Sequence, residues 1–271
     1  MKLKRIGIVG CGAIGSKIAE AISSDLKDKA KLSALYDIDP ARARDLAGKL
    51  RKKNIIVLSL ARLIRRSDLV VEASSAASAA DIARQALRNR RDCLIMSAGG
   101  LLGAGDIFDL ARGKNCSVYL PSGAIAGIDA LKAHKLTDIR KVTLTTRKSP
   151  QALSGAPYVI QKKIDLDSIK EETIIFEGSA QKAVTFFPQN INVAALLSLA
   201  GIGKEKTRVK IVCSPDYSRN IHEIEIESRA GNTFIRCENS PCPDNPKTSY
   251  LAVLSAIAAL KEIFEPVKIG T

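Results

Sequence analysis

The chain has 271 residues, of which 46% are hydrophobic and 26% are charged, so its composition is that of a folded protein with a sizeable core. Its formal net charge of +14 is compatible with nucleic-acid binding, but aromatic residues make up only 4% of the chain and provide no stacking platform for bases, so we expect no nucleic-acid partner. No apolar run reaches the roughly 18 residues of a membrane-spanning helix, and the six cysteines lack disulfide or metal-site spacing, so we expect a reduced, cytoplasmic protein without a bound metal.

The first element is an apolar strand over residues 5–9 that leads directly into a G-x-G-x-x-G motif. In this motif Gly10 permits a tight turn, Gly12 lets a pyrophosphate approach the backbone, and Gly15 lets the next helix pack closely on the strand. The helix predicted over 13–24 then offers its free N–H groups to the phosphates. The motif predicts dinucleotide binding by the residues of this turn, which are Gly10, Cys11, Gly12, Ala13, Ile14 and Gly15.

A second strand, predicted over 31–37, ends in an acidic residue. Asp37 follows Gly15 at close to the spacing of about 20 residues expected for the acid that binds the adenosine ribose. Capping of the next helix is assigned to Asp39, because Pro40 follows it at the first helical position. Asp37 therefore favours NAD, while Arg42 and Arg44 are suited to a 2′-phosphate and leave NADP use open.

Strands and helices continue to alternate up to about residue 121, which predicts a doubly wound, parallel Rossmann sheet with helices on both faces. The remaining strands are predicted over 54–58, 68–73, 92–97 and 117–120, and the remaining helices over 40–52, 59–66, 76–90 and 103–112. Ligands of such sheets bind beyond the carboxyl ends of the strands. Small residues follow three of these ends, at 72–75, 97–100 and 121–124, so we expect Ser74, Ala98 and Ala124 near the nicotinamide ribose; each segment alone is also compatible with an ordinary turn.

After Pro121 the pattern changes, and strands begin to follow one another. Strands are predicted over 139–147, 173–176, 207–213, 219–228 and 233–238, with helices ending near 134 and over 179–187 and 191–201 and a long connection over 149–172. These elements predict a second α+β domain, over 122–244, built on a mixed and largely antiparallel sheet. Asn245 and Pro246 predict the start of a helix that runs to about Phe264 and packs back on the first domain, which therefore consists of 1–121 plus 245–271.

Two histidines are present, and one of them is a candidate base. His134 lies at a basic helix end, where we expect a solvated or helix-capping role. His222 shares the apolar face of a predicted strand with isoleucines, and both a structural and a catalytic role remain open; a histidine is the usual proton carrier near neutral pH. Asn190 and Asn192 precede a helix, and each is suited either to capping it or to binding the nicotinamide carboxamide or a substrate carboxylate.

The chain resembles the L-aspartate dehydrogenase family over essentially its whole length. The segments that carry the resemblance are Gly10-Cys11-Gly12-Ala13-Ile14-Gly15, 121–127 (PSGAIAG), 187–195 (FPQNINVAA), 220–224 (NIHEI) and 245–249 (NPKTS). The first is shared by many dinucleotide enzymes, whereas the other four together are fairly specific. The segment 213–216 (CSPD) departs from the acidic-proline turn usual in the family, which leaves the contacts of that loop open.

The resemblance implies NAD(P)-dependent conversion between L-aspartate and iminoaspartate, or oxaloacetate plus ammonia, in a homodimer or higher homo-oligomer that supplies NAD biosynthesis. It implies that His222 is the active-site histidine and that Ala124 and an asparagine of the 190–192 segment, preferably Asn192, contact the cofactor. For the two substrate carboxylates, Lys247 and the backbone of 122–123 are hypotheses.

The alternatives are another NAD(P)-dependent reductase of the dihydrodipicolinate reductase type, or a non-catalytic NAD-sensing or nucleic-acid-binding protein. The reductase alternative is disfavoured because the paired histidines and following lysine typical of that type are missing. Sugar-type oxidoreductases, which usually carry Glu-Lys-Pro after the fifth strand, are disfavoured because this chain has SAGG at 97–100.

Overall fold

The computed structural model describes residues 3–187, 191–243 and 245–270. The chain divides into two compact units. The first comprises Met1–Pro121 and Val253–Lys268, and the second comprises Ser122–Ala252 and Ile269–Thr271. Within the described ranges, no helix has the length and apolar character needed to cross a membrane.

The first unit alternates strands and helices, as the sequence predicts. Its strands are β1 (Lys4–Val9), β2 (Ala30–Tyr36), β3 (Leu69–Glu72), β4 (Asp92–Ile95) and β5 (Val118–Tyr119). Its helices are α1 (Ala13–Ser23), α2 (Pro40–Lys49), α3 (Leu60–Arg66), α4 (Ala76–Arg88) and α5 (Asp106–Lys114), with 3-10 turns at Lys53–Ile55 and Ala98–Leu101. The strands form one parallel sheet in the order β2-β1-β3-β4-β5, which confirms the Rossmann-type architecture.

Alternation along β1 explains how this sheet is covered on both faces. Ile6 and Ile8 are fully buried in a core that includes residues of α1 and α2. Gly7 points the other way, where a Cβ atom would lie 2.8 Å from the Leu63 side chain of α3. Each face of the strand therefore packs on a helix layer.

The strand predicted over 54–58 is wrong. This segment forms a 3-10 turn, followed by a single bridge between Leu35 and Ile56. Ile55 and Val57 are buried, but the polar run of Lys52, Lys53 and Asn54 before them offers no apolar face to extend a ladder.

The second unit contains a mixed sheet, as predicted. Its strands are β6 (Ile139–Lys148), β7 (Thr173–Ser179), β8 (Arg208–Cys213), β9 (Asn220–Ser228), β10 (Gly231–Asn239), β11 (Pro241–Cys242) and β12 (Asn245–Ser249). Its helices are α6 (Ile128–His134), α7 (Pro150–Leu153), α8 (Pro157–Lys162), α9 (Ala180–Phe186) and α10 (Ile191–Ala200). The main sheet has the order β10-β9-β6-β8-β7, in which only β6 and β8 are parallel.

The two faces of this sheet differ sharply in chemistry. The inner face of β9 carries the buried side chains of His222, Ile224 and Ile226. The outer face carries acids that form ion pairs, such as Glu225 with Lys141 of β6 at 2.8 Å. The period-2 alternation predicted for β9 is therefore present.

The predicted start of the last helix at Asn245 is wrong. Residues Asn245–Ser249 form β12, which pairs antiparallel with β11, and the helix α11 (Tyr250–Phe264) begins only after it. The Asn245-Pro246 pair favours a helix start, but pairing with β11 keeps these residues in a strand. Ala256 and Leu260 of α11 belong to the core of the first unit.

The close packing of α1 can be tested at Gly15. A methyl group at this position would lie 1.9 Å from the carbonyl oxygen of Gly10, so we expect Gly15→Ala to lower the free energy of unfolding by about 1–3 kcal/mol. Gly48→Ala is the matched control, because a Cβ atom at this helical position would meet no described atom within 4 Å beyond its own stretch of helix, so alanine should raise the free energy of unfolding by about 0.5–1 kcal/mol. Urea unfolding of the purified chain measures both. A Gly15→Ala variant as stable as the wild type would contradict the close packing of Gly15 on the Gly10 carbonyl group.

Candidate cofactor and catalytic sites

The glycine turn after β1 has the geometry of a phosphate-binding loop. Gly10 has a φ of +93°, and a Cβ atom there would lie 2.4 Å from the carbonyl oxygen of Ala73, so the position requires glycine. Gly12 precedes α1 and has no atom within 4 Å of where a Cβ would lie. No side chain caps the N–H groups at this end of α1, so the open space above Gly12 fits an anionic pyrophosphate.

Asp37 lies beside this turn at the end of β2. One of its carboxylate oxygens accepts the Cys11 N–H at 2.7 Å and the other accepts the Asp39 N–H at 2.9 Å. These bonds fix the carboxylate at the wall of a cleft of about 410 Å³, which is also lined by Gly10, Gly12, Arg42 and Ser74. The cleft therefore brings together Asp37 and four other residues that the sequence analysis connects with the cofactor.

Cys11 belongs to the same turn, but its thiol is not a nucleophile. Burial, with the nearby charge of Asp37, raises its pKa to about 12, so it stays protonated at neutral pH. All six cysteines are free thiols, and the described residues contain no cluster of three metal-ligating side chains.

Glu72 organises the next two strand ends, a role that the sequence reasoning missed. Its side chain is 0% exposed at the end of β3. Its Oε1 atom accepts the Ser74 N–H at 2.7 Å and the hydroxyls of Ser74 and Ser97 at 2.9 and 3.0 Å. Its Oε2 atom accepts the Ser97 N–H at 3.0 Å. The turns after β3 and β4 are thus tied to one carboxylate, while Ala98, in the second of them, is buried.

His222 lies near the start of β9 in the second unit. Its ring is 5% exposed, and its Nδ1 atom shares a hydrogen bond of 3.1 Å with the Thr146 hydroxyl of β6. Burial, together with the nearby Lys148 ammonium, lowers its pKa to about 4. The imidazole is therefore neutral at physiological pH, and Nε2 has no hydrogen-bond partner among the residues that the structure describes.

Lys148 is the second group that sequence reasoning missed. It ends β6, two residues beyond Thr146 and on the same face, and it is only 7% exposed. Burial lowers the pKa of its ammonium to about 8. The alternation of β6 could have indicated this position, since Val142, Leu144 and Thr146 point inward and Lys148 continues the series. The predicted strand ends at 147 and therefore leaves Lys148 out.

His134 has a different role from the one predicted. Its Nδ1 and Nε2 atoms are hydrogen-bonded to the hydroxyls of Ser228 and Thr233, at 2.7 and 2.8 Å. It therefore ties the end of α6 to the β9–β10 hairpin, and the expectation of a solvated or capping histidine is wrong.

The other predicted site residues belong to the second unit. The Ala124 carbonyl accepts the Asn239 side-chain N–H at 2.9 Å, which holds the 121–127 segment to the end of β10. Asn192 is exposed in the first turn of α10. Asn190 and the side chain of Lys247 lie outside the described residues, and Lys247 belongs to β12 rather than to a helix start.

Comparison with known proteins matches both units. The family profile described as "Homoserine dehydrogenase, NAD binding domain" covers residues 10–121, and the profile described as "Aspartate dehydrogenase, C-terminal" covers residues 129–263. The L-aspartate dehydrogenase of Methanococcoides burtonii is 45% identical over 98% of this chain and 99% of its own, and that of Methanocella arvoryzae is 48% identical over the same shares. The crystal structure of aspartate dehydrogenase from Thermotoga maritima superposes with a TM-score of 0.74 at 26% identity, covering 99% of this chain and 100% of that one.

A nucleotide-binding turn with an acidic partner and a buried neutral histidine thus occur in a chain that matches these relatives from end to end. The chain belongs to the L-aspartate dehydrogenase family.

Proposed function

We propose that this chain is an NAD(P)-dependent L-aspartate dehydrogenase. The reaction removes a hydride from Cα and a proton from the amino group of L-aspartate, and hydrolysis of the resulting imine gives oxaloacetate and ammonia; the reductive amination is its reverse. The observation that carries the proposal is a buried, neutral imidazole in a chain that is 45–48% identical to L-aspartate dehydrogenases over nearly its full length.

The pyridine nucleotide supplies the hydride acceptor when it is bound. The protein holds it by the open backbone above Gly12, by the N-terminus of α1 and by the fixed carboxylate of Asp37. NAD is the preferred form, because a carboxylate at the ribose repels a 2′-phosphate. Arg42 lines the same cleft and allows some use of NADP.

His222 acts as the base. A pKa near 4 keeps the imidazole unprotonated at neutral pH, which is the form that a general base must have, although the same shift makes it a weaker base than a free histidine. The proton comes either from the substrate amino group or from the water that attacks the imine carbon. In the tautomer in which Nδ1–H donates to the Thr146 hydroxyl, Nε2 carries the free lone pair, and Nε2 is then the atom that accepts the proton.

We also infer a homodimer formed through the second unit, a cytoplasmic location and a role in supplying iminoaspartate for NAD biosynthesis. The family resemblance supports all three.

The role of His222 predicts a specific loss of turnover. We expect His222→Asn to lower kcat for L-aspartate by about 10²–10⁴-fold, because a proton acceptor is removed, while the Kd for NADH stays unchanged. Absorbance at 340 nm and NADH fluorescence measure the two quantities. His134→Asn is the matched control, since it removes the other histidine and should affect stability rather than turnover. Full deamination by His222→Asn would exclude this residue as the base.

The protonation state of His222 can be measured directly. In NMR titrations of histidine-labelled protein, we expect its ring to stay neutral from pH 8 down to about 5 and to gain a proton only near pH 4. Burial disfavours the charged form, so its pKa lies below the ordinary value of about 6.5. Lys148→Met should raise this pKa, because a neighbouring positive charge is removed. The His134→Asn variant identifies the signal, and a midpoint near 6.5 would show that the ring is not buried as described.

The preference for NAD or NADP tests whether the carboxylate of Asp37 binds the adenosine ribose. We expect Asp37→Asn to raise KM for NAD about tenfold or more, since a hydrogen bond to a charged group is lost, and to raise kcat/KM for NADP relative to NAD. Steady-state kinetics with both cofactors give the two ratios. Asp45→Asn, an exposed site on α2, is the charge-matched control and should leave the ratio unchanged. An unaltered preference in Asp37→Asn would show that this carboxylate does not face the ribose.

A further inference from the structure

Lys148 is a buried cation that forms no ion pair with any carboxylate in the described part of the chain. Its side chain lies on the inner face of the second unit's sheet, in line with Leu144 and Thr146 of its own strand and opposite Cys213 of β8. No carboxylate of the described residues lies within ion-pairing distance of its ammonium. Lys148 is close enough to His222 to lower the pKa of the imidazole, which is therefore neutral at physiological pH and supplies no opposite charge.

Two other cations of β6, Lys141 and Arg147, form ion pairs with acids on the outer face of the sheet. Lys141 lies 2.8 and 2.9 Å from carboxylate oxygens of Glu225 and Glu227 on the outer face. Arg147, next to Lys148 in sequence, lies 3.0 Å from Glu223 on that same face. Two outward cations of the strand are therefore ion-paired, whereas Lys148, which is more deeply buried than either, has no carboxylate partner among the described residues.

An unpaired ammonium in such a place points to an anionic ligand. Burying a charge is unfavourable unless an opposite charge or several hydrogen bonds compensate for it, and lysines are almost never fully buried unless they are paired. A carboxylate that binds next to Lys148 would supply the opposite charge that no described residue provides for its ammonium. A carboxylate held there also lies beside the imidazole that exchanges protons.

We propose that Lys148 binds one carboxylate of the dicarboxylic substrate next to His222. This assignment rests on the proposed function and names a substrate contact of that site. Lys148 holds the substrate rather than transferring a proton, so its loss raises KM and leaves the proton transfer to His222.

The test compares Lys148→Met, Lys148→Arg and the control Lys141→Met. Lys148→Met keeps the length of the side chain without its charge, Lys148→Arg keeps the charge, and Lys141→Met removes a cation of the same strand from the opposite face. Three quantities are measured for each variant: KM and kcat for L-aspartate at saturating NAD, the Kd for NADH by fluorescence, and the Kd for succinate by calorimetry. Succinate carries both carboxylates and no amino group, so it reports carboxylate binding alone.

For Lys148→Met we expect KM for L-aspartate and Kd for succinate to rise by about 10- to 100-fold, with kcat changed by less than about threefold, as the loss of a charge-assisted hydrogen bond predicts. Lys148→Arg should retain part of the affinity, and Lys141→Met should retain all of it. The Kd for NADH should stay unchanged in all three. The thermal midpoint of Lys148→Met should not fall, because replacing an unpaired buried charge by an apolar side chain removes a desolvation penalty. A structural lysine would give the reverse, a lower midpoint with unchanged succinate affinity.

The outcomes separate this proposal from the proposed function. A fall in kcat with unchanged KM and unchanged succinate affinity would overturn it, since Lys148 would then act in the chemical step. If the wild type fails to oxidise L-aspartate but binds succinate in a way that depends on Lys148, the proposed function fails and the carboxylate site stands. If succinate binds equally to the wild type and to Lys148→Met, the carboxylate site is wrong whatever the turnover.

Discussion

The chemistry of the second unit depends on the register between β6 and β9. In this register Thr146 lies opposite His222, which places the imidazole on the buried face and within hydrogen-bond distance of a hydroxyl. A slip of one residue would turn the ring toward the ion-paired face, because side chains alternate with a period of two. The same pairing joins Leu144 to Ile224 on the inner face, while ion pairs form on the outer face, so hydrophobic burial and charge pairing both hold the imidazole of His222 in position.

The nucleotide site is fixed by backbone constraints rather than by long side chains. Gly10 adopts a conformation that L-residues rarely take, and its close approach to Ala73 joins the turn after β1 to the turn after β3. Asp37 and Glu72 then accept backbone N–H groups from neighbouring turns, and hydrogen bonds of this charge-assisted kind are among the stronger ones in proteins. These hydrogen bonds hold the carboxyl ends of the parallel strands in fixed positions at one edge of the sheet.

Features that depend on local pattern can be predicted from the sequence, whereas features that depend on partners far apart along the chain cannot. Alternation predicts both sheets, and motif spacing predicts Asp37. The interpretation of His134 as a solvated residue is wrong because its partners, Ser228 and Thr233, lie more than 90 positions away, and no local rule brings them together. The Asn-Pro pair at 245–246 is a good local helix start, yet pairing with β11 takes precedence there.

Two buried charges in this chain show why burial alone does not identify a functional group. Glu72 is completely buried, but four hydrogen bonds from Ser74 and Ser97 satisfy its carboxylate, so its burial does not call for a ligand. Lys148 is almost as deeply buried and has no such partners among the described residues, which is why we propose that a bound carboxylate compensates its charge. Folding into this conformation is therefore less favourable than it would be with an apolar residue at position 148, and ligand binding recovers the difference. That difference explains why Glu72 has a structural role at the strand ends, and it supports our proposal that Lys148 binds the substrate.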